Sequence, residues 1–138
     1  MIVLDTNVVS ELNNPHGAES VRASVAALME SEAYITVTVV AELSAGIVRL
    51  PEGRRRLRLE RELDVILAED FDGRILPFDV EAARAYGLVR VRRERMGRPI
   101  TAMDAQIAAV CLVHGATFVT RNTKDFDGLG LTLVNPWG

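Results

Sequence analysis

Met1-Ile2-Val3-Leu4-Asp5-Thr6-Asn7-Val8-Val9-Ser10-Glu11-Leu12 is the stretch on which the fold turns. Ile2, Val3 and Leu4 make a short apolar run closed by the turn formers Asp5, Thr6 and Asn7. Such a run reads as a buried strand leading into a helix. Asp5 then stands at the carboxyl end of a buried strand, the edge at which open α/β sheets bind ligands. A carboxylate there has to be hydrogen-bonded, metal-bound or protonated, because a lone desolvated charge is costly. Capping the helix that follows would also satisfy it.

Working outward, the apolar pattern alternates between helical and extended spacing. Residues 7–12 read as a short helix, broken by Asn13-Asn14-Pro15-His16-Gly17. Residues 19–31 have helical spacing through Val21, Val25, Leu28 and Met29. Tyr34-Ile35-Thr36-Val37 is a second strand by its β-branched content, and Thr38 can cap a helix reaching Val48. Pro51-Glu52 opens another helix, with Leu59, Leu63, Ile66 and Leu67 on one face. Ile75-Leu76-Pro77-Phe78 is a third strand, placed at a sheet edge because Pro77 lacks an amide donor. Asp79 can cap a helix that runs to Met96 and is stopped by Gly97 and Pro99. Residues 101–114 are apolar nearly all round, which marks a buried helix. Residues 117–120 and 131–134 complete five strands. Strands alternating with helices indicate a parallel sheet covered on both faces, in a single domain spanning residues 1–138.

Composition sets further bounds. With 49% hydrophobic and 25% charged residues, the chain has the make-up of an ordinary globular domain. No stretch is long and apolar enough to cross a membrane. A strand starting at residue 2 leaves no room for a signal peptide, and the single cysteine, Cys111, permits no intrachain disulfide. Both features lead to the expectation of a reducing cytoplasm, with Cys111 packed in its apolar AAVCLV setting. The net charge of −3 is unevenly spread: residues 49–98 hold 13 of the 16 bases against 10 acids, a local +3, and the remainder holds 3 bases and 9 acids. All 13 of those bases are arginines, which suit phosphate contacts geometrically. Part of the segment also reads as solvated helix faces with pairs such as Arg56 with Glu60 and Arg58 with Glu62.

Asp5, Glu42, Asp104, Asn122 and Asp125 each follow a strand or open a helix. A crossover helix runs antiparallel to the strands it joins, so its N-terminus lies on the same sheet edge as the strand C-termini. All five positions therefore land on one edge. Singly, each has an ordinary explanation: Asp104 follows Thr101 at capping-box spacing, Glu42 can be a solvated helix residue, and Asp125 a loop acid. Together they do not. Two like charges about 4 Å apart repel by about 4 kcal/mol at an effective dielectric of about 20, whereas a helix N-terminus returns only about 0.3–1 kcal/mol per acid. Either some of these acids are protonated or a divalent cation holds them, and oxygen-only ligands favour Mg²⁺ or Mn²⁺ over zinc. His114 lies about 15 Å along the helix from Asp104 and stays outside this set, and His16 reads as a surface loop residue.

Leu4-Asp5-Thr6-Asn7, the VAEL-x-x-G pattern at residues 40–46, the MDA around Asp104 and TRN-x-x-DF at residues 120–126 together resemble the PIN-domain ribonucleases. More narrowly, the chain is similar to the VapC-type toxins of toxin–antitoxin pairs, near their FitB-like branch, which the closing Asn135-Pro136-Trp137 also fits. The resemblance covers essentially the whole chain. It implies a three-layer α/β/α arrangement around a five-stranded parallel sheet of order 3-2-1-4-5. It maps the family's acids onto Asp5, Glu42 and Asp104, with Asp5 and Asp104 binding the cation and Glu42 binding it or orienting water. The family's fourth position is often Asp; here it is Asn122, with Asp125 three residues on. Thr6 and Thr120 match supporting hydroxyl positions. The implied reaction is Mg²⁺- or Mn²⁺-dependent hydrolysis of RNA, by a protein that is often a homodimer and is held by a VapB-like antitoxin. Two other readings compete. A phosphohydrolase with Asp5 as nucleophile often needs a second Asp two residues on, where Asn7 stands, and no Gly-rich phosphate loop is present. A non-catalytic RNA-binding module on the same fold would be marked by loss of the acids, and all three are there.

Overall fold

Strand β1 is Ile2–Leu4, wholly buried, and it turns at Asp5 into helix α1, Thr6–Asn13. The computed structural model describes residues 1–29 and 32–138. Helix α2, Glu19–Leu28, follows a loop in which Gly17 lies so close to the Glu11 carbonyl that a Cβ there would clash. The expected end of this helix at Ser31 lies outside the described residues. Strand β2, Ile35–Thr36, leads directly into helix α3, Val37–Val48, and α4 covers Arg54–Val65 before a π-helical turn at Ile66–Asp70. Strand β3 is Ile75–Leu76, α5 is Val80–Arg95 and α6 is Ala102–His114. Strands β4, Thr117–Val119, and β5, Thr132–Val134, close the chain.

All strand pairs are parallel. Strands β1, β4 and β5 form one sheet in the order β1-β4-β5, and β2 pairs with β3 in a second. The expectation of one continuous five-stranded sheet is corrected on this point. The order 3-2-1-4-5 is kept, but β2 meets β1 only through a parallel bridge between Val3 and Tyr34, whose bonds are Tyr34 N–H to Ile2 O, 3.0 Å, and Leu4 N–H to Tyr34 O, 2.9 Å. The reason is local. Beyond this bridge both strands end: the Thr6 amide donates to the Asp5 carboxylate at 2.8 Å as α1 begins, and β2 passes into α3 at Val37. The turn that sets Asp5 at the strand end also stops the ladder.

The strands pack a core that includes Val3, Leu4, Ile35, Phe118 and Val119. Helices α5 and α6 pack against each other, and α3 packs on α4 and also reaches α6. Helix α6 is buried at Ala105 and from Ile107 to Cys111, as its all-round apolar sequence requires, and Gly115 ends it in the left-handed region at φ 59°. Cys111 is free and buried, and burial pushes its thiol well up, which leaves it inert. Asp79 caps α5 through a bond from the Ala82 amide. Helix α3, however, is capped by Thr36 rather than Thr38, and α4 starts at Arg54 rather than at Pro51. Strand β3 pairs only with β2, at the edge that Pro77 indicated. Among the described residues, no helix is long and apolar enough to cross a membrane.

Candidate functional site

The chain leaves β1 toward β2 on one side and returns from β3 to β4 on the other. The crevice between the ends of β1 and β4 is therefore the point at which strand order reverses, the usual ligand position in such sheets. Asp5 closes β1 at this crevice and is only 6% exposed. Thr120, fully buried, closes β4 and donates its hydroxyl to Asp5 Oδ2 at 2.6 Å. The same Thr120 oxygen accepts the Asn122 amide at 3.0 Å. The other Asp5 oxygen, Oδ1, accepts the Thr6 amide, while the Thr6 hydroxyl donates to Glu42 Oε1 at 3.0 Å. Two threonines thus fix two acids that lie 37 positions apart in the chain.

Glu42 is half-buried in the second turn of α3. Asp104 is half-buried in the first turn of α6, where its amide donates to the Thr101 hydroxyl at 3.2 Å. Asp125 is exposed on a 3₁₀ turn, Thr123–Phe126, that follows Asn122. That turn is anchored from within by Phe126, packed edge-on against Phe118 with ring centroids 4.7 Å apart. It is held from outside by Arg93, which donates to the Asp127 carbonyl at 2.7 Å, and by Arg98, which donates to the Lys124 carbonyl at 3.2 Å.

Three acids feel this crowding. Burial pushes the Asp5 carboxyl up against the pull of its Thr120 and Thr6 hydrogen bonds, and the Asp125 charge adds to the rise. Burial also raises Glu42, opposed by Thr6 and reinforced by the charges of Asp5 and Asp104. Asp104 is raised by burial and then by Asp5, with Thr101 opposing and Asp125 adding. The four carboxylates therefore share one electrostatic neighbourhood. Among the described residues, no three His, Cys, Asp or Glu side chains already converge closely enough to hold an ion. The donor chemistry nonetheless fits a hard divalent cation. Every donor in the set is oxygen, and a cation offsets both the burial and the mutual repulsion that raise these carboxyls.

Of the expected positions, Asp5, Glu42, Asp104 and Asp125 are electrostatically coupled, and Thr6 and Thr120 bond directly to the acids. Asn122 contributes its backbone amide to Thr120, and its residue is exposed. His114 is exposed at the far end of α6. Two contacts lie outside those expectations. Asn7 Oδ1 accepts the Arg121 amide at 3.4 Å, tying the β1 turn to the β4 turn. Thr38, read as a cap, donates its hydroxyl to Gln106 Oε1 at 3.0 Å and so joins α3 to α6 beside Glu42 and Asp104. Nothing in the local sequence marks a pair 68 positions apart. In the basic segment, Arg93 is buried, which removes it from the arginines available to a partner.

Comparison with known proteins agrees with this geometry. The PIN domain family model matches residues 2–130. The VapC ribonuclease Y4jK of Sinorhizobium fredii is 38% identical over 99% of this chain and 98% of its own length. The toxin FitB of Neisseria gonorrhoeae is 37% identical, with 99% of each chain covered. The crystal structure of FitAcB from Neisseria gonorrhoeae superposes with a TM-score of 0.89 at 37% identity, again over 99% of both chains.

Proposed function

The chain belongs to the PIN-domain family, among the VapC-type toxin ribonucleases of type II toxin–antitoxin pairs, and on that premise we propose that it hydrolyses RNA phosphodiester bonds with a divalent cation held by Asp5, Glu42 and Asp104. The observation that carries this reading is the electrostatic coupling of these acids at the β1–β4 crevice, with Asp5 locked by Thr6 and Thr120. A bound Mg²⁺ or Mn²⁺ lowers the pKa of an attacking water and screens charge that builds on the phosphate. Asp5 and Asp104 hold the cation. Glu42, which accepts the Thr6 hydroxyl at 3.0 Å, would complete the cation's ligands or orient the attacking water. Thr120 and the Thr6 amide keep Asp5 in one orientation, so the ligand is set before substrate arrives. Asp125 adds negative charge one 3₁₀ turn beyond Asn122, and Asn122 supplies a neutral amide where the family often has an acid.

The partners follow from surfaces away from the crevice. Helix α4 buries none of its residues and exposes Leu57 and Val65 in a groove shared with Asn13, Arg54, Arg58 and Arg61. An amphipathic, acidic segment of a VapB-like antitoxin suits that lining. Helix α5 leaves Val80, Leu88 and Val91 exposed, a face suited to a homodimer. The setting is a reducing cytoplasm. Cleavage of single-stranded RNA by wild-type and Asp5→Asn protein, each in Mg²⁺, in Mn²⁺ and in EDTA, tests the central assignment. The wild type cuts only with metal and the variant does not cut. A folded Asp5→Asn protein that cuts at the wild-type rate overturns it.

A further inference from the structure

An acidic crevice that works on a polyanion needs positive charge at its rim. The segments that carry the acids supply little, since outside residues 49–98 the chain has only Arg22, Arg121 and Lys124. Arg22 is remote on α2 and is engaged by Glu19 and the Asn14 carbonyl. Arg121 stands between Thr120, which holds Asp5, and Asn122. Its backbone is tied down through the Asn7 side chain, its residue is exposed, and among the described residues it makes no ion pair.

The guanidinium of Arg121 lies over the Trp137 ring, 4.9 Å from its centroid. Trp137 is itself fixed. Strand β5 ends beside β4, where the Thr120 amide bonds the Val134 carbonyl at 2.9 Å, and the chain then turns at Asn135, whose side chain accepts the Trp137 amide at 2.9 Å. Trp137 also packs against the hydrophobic core. A guanidinium stacked on an aromatic face loses freedom at one side only; its in-plane N–H edge stays open and matches a phosphate bidentately. An arginine stacked purely for packing would not need to sit one residue from the ligand clamp with no counter-ion.

We infer that Arg121, held on Trp137, binds the RNA phosphate next to the one that is cleaved, and so sets the register of the strand in the crevice. This rests on the nuclease reading for its substrate, but its test needs no turnover. A labelled short single-stranded oligoribonucleotide is titrated, in Mg²⁺, into Asp5→Asn protein with and without Arg121→Ala, Arg121→Lys, Trp137→Leu and Trp137→Phe. Arg121→Ala weakens binding about tenfold and lowers the slope of log affinity against log salt by about 0.7, the value for one phosphate contact on a single strand. Arg121→Lys keeps the slope. Trp137→Leu weakens binding, Trp137→Phe restores most of it, and neither Trp variant adds to the Arg121→Ala loss. Unchanged affinity and slope in Arg121→Ala overturn the inference, as does full additivity of the Trp137 and Arg121 losses. Failure of the nuclease reading shows elsewhere, as metal-independent cleavage or as activity in Asp5→Asn.

Discussion

At the scale of single residues, the acids of the crevice cost the metal-free protein stability. The carboxyls of Asp5, Glu42 and Asp104 are all raised above their ordinary values of 3.8 for Asp and 4.5 for Glu. The folded state therefore holds these protons more tightly than the unfolded chain. What the protonated groups add to stability is complete below those ordinary values and is lost as pH rises through the raised ones. A bound cation offsets that loss. Asp5→Asn removes one of the charges and keeps an acceptor for the Thr120 hydroxyl. In EDTA it melts at a higher temperature than the wild type at neutral pH, and the gap closes on acidification. Thermal melts across about pH 4 to about pH 8 check this; a lower neutral-pH Tm for the variant contradicts it. These positions were legible in the sequence because each acid follows a strand or opens a helix. Their hydroxyl partners were legible only through the family pattern, because the Thr6–Glu42 and Thr120–Asp5 bonds cross 36 and 115 positions.

At the scale of elements, what reading the sequence misplaced was where one element hands over to the next. Thr36 and Thr38 can both cap α3, and the choice depends on where β2 stops pairing, which is decided by β3 and the Tyr34 bridge rather than by either threonine. The pairs Arg56–Glu60, at 2.9 Å, and Arg58–Glu62, at 3.9 Å, were legible because i,i+4 spacing is local. Arg93 carried a signal that went unread. Ala82 and Val89 mark the buried face of α5, and Arg93 continues that stripe one turn on. Its guanidinium faces the carbonyls of Asp127 and Lys124, the loop that carries Asp125, and its Nε is buried without a hydrogen-bond partner in this structure. Arg93→Ala removes a buried side chain and its charged hydrogen bond to the Asp127 carbonyl and costs about 1.5–3 kcal/mol, whereas exposed Arg95→Ala stays within about 0.5 kcal/mol of wild type. Urea unfolding of the two variants checks the contrast, and equal midpoints contradict it.

At the scale of the whole molecule, strand order was legible from alternation, from Pro77 and from the family resemblance, and the structure keeps that order across two sheets. The division was not legible, because it depends on where β1 and β2 each turn into a helix and not on the apolar pattern. The order matters because its reversal opens the crevice in which acids from the two ends of the chain meet. Most of the bases lie in residues 49–98, and two of them, Arg93 and Arg98, reach the loop that carries Asp125. Central to all of this is that the crevice acids exist to hold a divalent cation. Calorimetric titration of Mn²⁺ into metal-stripped wild-type and Asp5→Asn protein tests it most directly. Saturable binding by the wild type, and affinity at least about tenfold weaker in Asp5→Asn, is the expected result. Equal affinity in the two proteins would contradict the account.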